Sequence, residues 1–275
     1  MYEIPEAAVI ARQINESIVS RKIVRVVAAQ NPHKFAWYTG DPAHYPAYLT
    51  GKQLGNSLAF GGMVQTEAED YRLLFSEGIN LRLIPSLAEE PAKHQLLLEL
   101  DDGTALVASV AMYGAVGCFP PGANDNPYYL MALEKPGPLS ADFDADYFAA
   151  LFRPDCEKLS FKAFLATEQR IPGLGNGVLQ DILFQARLHP RRKVASLDSA
   201  GRQALYQTLR GTLQAMLAGG GRDTERDLFG RPGGYRTLMS KNTAGQPCPV
   251  CSAVIQKESY LGGSVYFCPE CQPLN

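Results

Sequence analysis

The sequence has no surplus of positive charge: its 275 residues carry 26 Lys and Arg against 28 Asp and Glu, a formal net charge of −2. A protein that neutralises many phosphates usually carries a basic surplus, so strong nonspecific polyanion binding is not expected, although a local basic patch stays open. No apolar run approaches the length that spans a bilayer, which argues against a transmembrane helix. The opening MYEIPEAAVI lacks a basic segment followed by an apolar stretch, so a secretory leader is not expected and the chain reads as cytoplasmic. There is no internal repeat and no long low-complexity tract. What is there, 46% hydrophobic and 20% charged residues, is globular composition with length for two modest domains or one large one. Arg187, Arg191, Arg192 and Lys193 form one basic cluster, and Arg222, Arg226, Arg231 and Arg236 a looser one. Charge clusters of this kind are by default solvated faces.

Local patterns divide the chain. Pro5 in a first turn, Glu3 and Glu6 at its start, and Ile10, Ile14 and Ile18 every four residues predict an N-terminal amphipathic helix. The β-branched run Ile23, Val24, Val26, Val27 predicts a strand. Residues 54–119 read as sheet: Tyr71 to Phe75 and Ile79 to Ile84 flank a Glu77-Gly78 turn, and Asp101-Asp102-Gly103 joins Gln95–Leu100 to Ala105–Val110 as a hairpin. Such a succession fits an antiparallel sandwich or barrel. The stretch from Cys118 to Pro138, rich in Pro, Gly and Asn, reads as loop with the domain boundary after it. Beyond Leu139 the pattern is helical: Phe161 to Gln169, then Asn176 to Leu188 after the turn Ile171-Pro172-Gly173-Leu174-Gly175. A third helix follows with Leu205, Leu209, Leu213, Met216 and Leu217 on one face, ended by Gly219-Gly220-Gly221, and residues 219–234 read as a partly irregular linker.

The strongest chemical signal is at the C-terminus. Cys248-Pro-Val-Cys251 and Cys268-Pro-Glu-Cys271 are two C-x2-C pairs separated by sixteen residues, the spacing of a four-cysteine zinc site. Each pair lets a tight turn aim two sulfurs at one metal, and four thiolates close the shell, which makes one structural zinc. The intervening Tyr260 and Tyr266-Phe267 belong to a hairpin too small to fold by apolar burial, and metal binding worth roughly 10–16 kcal/mol in comparable peptides supplies the difference. Disulfides are disfavoured in a reducing cytosol. Cys118 and Cys156 stand alone and read as small buried hydrophobes.

The zinc ribbon ending Phe267-Cys-Pro-Glu-Cys-Gln272 follows Ile171-Pro-Gly-Leu-Gly-Asn176 and Leu188-His-Pro190. With Glu3-Ile-Pro-Glu6 at the start and Lys93-His94 leading to Asp101-Asp102-Gly103, the chain resembles the formamidopyrimidine-DNA glycosylase and endonuclease VIII family over nearly its whole length. The resemblance implies an α+β protein: an N-terminal β-sandwich with a flanking helix (1–138), a helix–two-turns–helix domain (139–240) and the zinc ribbon (241–275). It implies a monomer whose partner is damaged, abasic or distorted duplex DNA. It assigns DNA contacts to Asn176 and Gly175, with the helix N-terminus behind them offering further N–H donors, and to Tyr113 and Lys93. It assigns acid–base chemistry to Glu3, with Glu6 and the Met1 amine as further catalytic candidates.

The chain departs from the family at the chemistry. The family nucleophile is the amine of an N-terminal proline, and here that position holds Tyr2. The Met1 amine is capable of a Schiff base but sits one residue too far out, and about 1 Å of misplacement already costs about 100-fold. Gly61-Gly62 stands where Gly-Lys is expected, with Lys52 out of register; Ala111-Met112 replaces arginines of the gap-filling hairpin, leaving only the aromatic Tyr113; Gly263 replaces the phosphate-gripping arginine of the zinc finger. Two functions follow as expectations: a divergent glycosylase with AP-lyase activity, or a non-catalytic binder of DNA lesions. A protein-interaction role for the ribbon is the third and weakest.

Overall fold

The computed structural model describes residues 2–31, 33–76, 78–110 and 112–274. Helix α1, Ile4–Ser17, starts where expected: Glu3 is its N-cap, Pro5 lies in the first turn, and the Glu6 carboxylate accepts from the Glu3 N–H at 3.2 Å to complete a capping box. The stripe Ile10, Ile14, Ile18 is buried in the sandwich core, while Ile4 joins the core of the helical domain. One amphipathic helix therefore contributes to both cores.

The strands are β1 Ile23–Ala28, β2 Ala36–Thr39, β3 Leu54–Phe60, β4 Met63–Ala68, β5 Tyr71–Phe75, β6 Ile79–Ile84, β7 Leu96–Leu100, β8 Ala105–Val110 and β9 Gly114–Phe119, with the short helix α2, Tyr45–Leu49, between β2 and β3. They form a five-stranded sheet ordered β2-β9-β5-β4-β3 and a four-stranded sheet ordered β1-β7-β8-β6. The β7–β8 hairpin over Gly103 is as the sequence predicts. The pairing of β5 with β6 is not: these neighbours lie in different sheets. Gly78 makes the crossing, with φ of +86° and a backbone so close to the Tyr113 carbonyl that a Cβ would lie 1.7 Å from its oxygen. Glu77, the other half of that expected turn, lies outside the described residues.

Helix α3, Pro127–Glu134, occupies what reads as loop. Asn126 caps it, its carbonyl oxygen accepting from Tyr128 N and Tyr129 N, and Pro127 at N1 initiates rather than breaks it. Four more helices, α4 Ala145–Ala150, α5 Phe161–Ala166, α6 Asn176–Gln185 and α7 Ser199–Ala218, enclose a second core around Phe143, Phe161, Leu179, Leu209 and Leu213. Helices α5 and α6 each stop three residues short of the expected ends. The strands β10, Gln256–Tyr260, and β11, Gly263–Phe267, form the C-terminal hairpin. Among the described residues no helix is long and apolar enough to cross a membrane.

Strand β6 is the open edge of its sheet, and edges must be covered. Tyr2 covers it. Its ring is buried in the sandwich core, and its hydroxyl accepts from Leu81 N at 3.0 Å and donates to Leu81 O at 3.2 Å; Leu83 N donates to Leu228 O further along. Tyr2→Phe leaves both Leu81 groups unpaired in a buried setting, a loss of about 1–3 kcal/mol. Urea unfolding is expected to show a lower midpoint at unchanged m-value, and an unchanged midpoint would mean that water replaces the phenol.

Candidate functional site

Three segments far apart in sequence meet at the start of α6. The Glu3 carboxylate accepts from Gly177 N at 2.7 Å and from Val178 N at 2.8 Å, so it caps α6 from the opposite domain. Arg222 faces Glu6 through two contacts, Nε to Oε1 at 3.0 Å and Nη2 to Oε2 at 2.6 Å, and its Nη1 lies 3.6 Å from Glu3 Oε1. All three side chains are almost fully buried. Burial raises the Glu3 pKa, opposed by Arg222 and by the two amide donors. Burial acts the same way on Glu6, but the paired guanidinium outweighs it and holds the carboxyl below the usual range. The glycines make this approach possible: a Cβ on Gly175 would meet Glu3 Cδ at 2.7 Å, and one on Gly177 would meet Arg222 Nη1 at 1.6 Å. Gly175 thus gives Glu3 room, and two of the amide donors expected to face DNA are engaged by Glu3.

A second junction joins α6 to the zinc finger. Asn176 Nδ2 donates to Ser264 O at 2.7 Å, and Gln180 Nε2 donates to the same oxygen at 3.0 Å. Tyr266 N donates to Gln180 Oε1 at 3.2 Å, and the Asp181 carboxylate accepts from Leu238 N and Met239 N at 2.9 and 2.7 Å. Beside Gly263 stands a residue that sequence reasoning missed. A Cβ at position 263 would lie 3.4 Å from Lys162 Nζ and 3.6 Å from Asn176 Nδ2. Lys162 donates to the Tyr260 carbonyl, and burial lowers its pKa. Among the described residues no carboxylate pairs with it. Its only sequence signal is a lysine inside the apolar run of α5.

The other expected site residues are spread out. Tyr113 lines a cavity on the five-stranded sheet, and Lys93 is exposed on the loop before β7, at neither junction. Met1 and Ala111 lie outside the described residues. Gly61 and Gly62 form the β3–β4 turn, which interlocks with Pro172-Gly173: a Cβ on Gly173 would lie 2.1 Å from Gly62 N. Lys52 pairs with Asp70 and, at 3.4 Å, with Glu69. A cavity of about 580 Å³ lies beside Tyr2, lined also by Asn80, Arg82, Thr224, Arg226 and Lys241.

The four thiols fit zinc. All Sγ atoms of Cys248, Cys251, Cys268 and Cys271 lie within 4.8 Å of one another, with Cys248–Cys271 at 3.8 Å and Cys251–Cys268 at 3.3 Å. A tetrahedron of Zn–S bonds has sulfurs about 3.8 Å apart. Val250 N and Cys271 N point at Cys248 Sγ and Cys268 Sγ at 3.5 and 3.4 Å, contacts that favour thiolates. Bound there, zinc supplies only structure. Cys118 is inert by contrast, its thiol pushed up to about 12 by burial.

A β-sandwich joined through a buried carboxylate to a helix–two-turns–helix unit, with a four-thiolate finger seated on it, defines the class: a zinc-finger DNA glycosylase fold. The comparisons agree. The profile for the formamidopyrimidine-DNA glycosylase H2TH domain matches residues 135–227, and that for a zinc finger found in FPG and IleRS matches residues 245–274. The chain is 31% identical over 289 residues to the formamidopyrimidine-DNA glycosylase of Symbiobacterium thermophilum, covering 100% of this chain and 90% of the relative. With that of Deinococcus radiodurans it shares 30% over 286 residues, covering 100% and 98%. Among solved structures it is similar to a complex between the Lactococcus lactis Fpg and an abasic site containing DNA, with a TM-score of 0.81, 25% identity and coverage of 98% and 99%. The MutM (Fpg) protein of Thermus thermophilus shares the fold, with a TM-score of 0.82, 24% identity and coverage of 99% of both chains. The chain belongs to the formamidopyrimidine-DNA glycosylase family.

Cys268→Ala is expected to abolish the one zinc per chain and, with it, hydrogen-exchange protection of the β10–β11 amides, while protection in the sandwich persists. Protection retained at the hairpin without zinc would show that packing on α6 alone holds it.

Proposed function

We propose that the chain binds DNA carrying a damaged, abasic or distorted nucleotide through the face shared by the sandwich, α6 and the zinc finger, and that it does so without the Schiff-base chemistry of its relatives. The observation that carries this is Tyr2. At the position of the family nucleophile stands a side chain built into the sheet, its ring in the core and its hydroxyl bonded both ways to Leu81. Two features support the binding half. Asn176 Nδ2 and Lys162 Nζ converge beside Gly263, and together they supply phosphate contacts where the family's arginine is missing. The cavity beside Tyr2 is lined by Arg82, Arg226 and Lys241 against the two carboxylates Glu89 and Glu225. Four zinc thiolates suit a reducing compartment, so the cytoplasm is the proposed location.

Borohydride trapping on abasic duplex DNA tests the chemistry. The expected result is a mobility shift without any covalent band. A second reading, a divergent lyase, is favoured by Glu3, whose raised pKa in a cleft suits acid–base work. On that reading a trapped band appears and is lost when the Met1 amine is blocked.

Lys162→Met is expected to weaken DNA binding about equally across sequences and to reduce the slope of log affinity against log salt by about 1. An unchanged slope in a folded, zinc-loaded variant would remove Lys162 from the interface.

A further inference from the structure

A second cavity, of about 500 Å³, opens on the five-stranded sheet between β2, β9, β5 and the start of α3, with Gln169 reaching it from the helical domain. Neither Tyr2 nor the Glu3–Arg222 cluster lines it. We infer that it receives an unpaired nucleobase of the bound DNA, an inference that rests on the DNA-binding reading.

The walls are aromatic. Trp37, Tyr113 and Tyr128 line the cavity while remaining 53%, 38% and 60% exposed. Rings left in water around a hollow are stacking surfaces in waiting, and base–aromatic stacking tolerates any sequence because every base has a π-face. The backbone that carries two of these rings, Trp37 and Tyr128, is fixed. Trp37 lies in register with Ala115 of β9 and 6.4 Å from the Phe35 ring. The Asn126 cap fixes Tyr128 and Tyr129, and Tyr129 stands edge-on to Phe60 and Phe119, its hydroxyl donating to Gln65 at 2.9 Å.

The space is also kept open. Gly114 and Gly117 form part of the lining, and a Cβ at Gly117 would come within 3.1 Å of Leu74 Cβ and 3.2 Å of Thr39 Oγ1. Asn124 adds a polar handle. It is 6% exposed, its Oδ1 accepts from Asn126 N at 3.1 Å, and its buried Nδ2 meets no acceptor among the described residues. A buried donor without a partner is costly, and the edge of a planar ring bearing carbonyl oxygen or ring nitrogen satisfies it. Among the described residues no Asp, Glu, Lys or Arg lines the cavity, which suits an uncharged base rather than a phosphate. Tyr113 and its neighbour Met112, itself 70% exposed, lie on the loop that crosses from β8 in one sheet to β9 in the other, the segment that the family resemblance assigns to filling the gap in the duplex. A base unstacked by that loop has the cavity beside it.

Trp37 is the only tryptophan in the chain, so its emission reports this site alone. The full-length, zinc-loaded protein is titrated with a duplex carrying one bulged base and with the fully paired duplex of the same sequence, while gel mobility measures binding independently. The expected result is saturable quenching by the bulged duplex only. Tyr128→Ala is expected to weaken the bulged duplex about tenfold and leave the paired one unchanged. Binding of both duplexes in the gel with no change in emission would overturn the cavity's role, as would a Tyr128→Ala variant that binds the bulged duplex undiminished. No gel shift with either duplex would overturn the DNA-binding reading, and this inference with it.

Discussion

The architecture hangs on one buried guanidinium. Arg222 has left water to sit against Glu6 and Glu3, both of them buried, and Glu3 in turn closes the N-terminus of α6. Removing one partner from such a group strands the others without solvent, at about 3–5 kcal/mol. The arrangement draws on the first helix of the chain, the first turn of α6 and the glycine-rich segment after α7, so it sets how the sandwich sits on the helical domain. The interlocked turns at Gly61-Gly62 and Pro172-Gly173 serve the same joint by close backbone approach, with Ile4 N donating to Gly173 O at 3.2 Å beside them.

From α6 the order passes outward. Its Asn176 and Gln180 hold the Ser264 carbonyl of the finger, and its Phe184 packs among Cys248, Ile255 and Cys268. The metal closes the finger from within while α6 fixes its orientation from without. A helix whose N-terminus is secured by one domain and whose side carries the zinc hairpin keeps both in a common frame, which a binding face made from several segments requires.

How much of this was legible in the sequence follows from distance along the chain. The zinc site was, because its ligands come as two local pairs whose spacing is the geometry. The N-terminal helix and the β7–β8 hairpin were, because a stripe of isoleucines and an Asp-Asp-Gly turn are local signals. Helix α3 was not: the Pro and Asn that read as loop are its N1 residue and its cap. The separation of β5 from β6 was not, because consecutive strands usually pair and nothing at Gly78 announces a change of sheet. Arg222 read as one of a loose basic group, and its partner Glu6 is 216 residues away. Lys162 and the aromatic cavity were hidden for the same reason, since α5 comes up to Gly263, and Trp37 and Tyr128 come to line one cavity, only after folding.

That distance also bears on how the glutamates are to be weighed. Glu3 and Glu6 match the family's motif, and a motif match at a catalytic carboxylate invites the conclusion that chemistry is retained. The structure supplies a different reason for their presence. Glu6 is half of a buried ion pair and Glu3 caps a helix across a domain boundary, so both are held by folding whatever happens at the N-terminus. Position 2 is tied to the fold as well, the Tyr2 ring lying in the sandwich core and its hydroxyl bonding both ways to Leu81 on the edge strand β6. The fold alone accounts for both glutamates, so their match to the family motif does not by itself argue for retained chemistry.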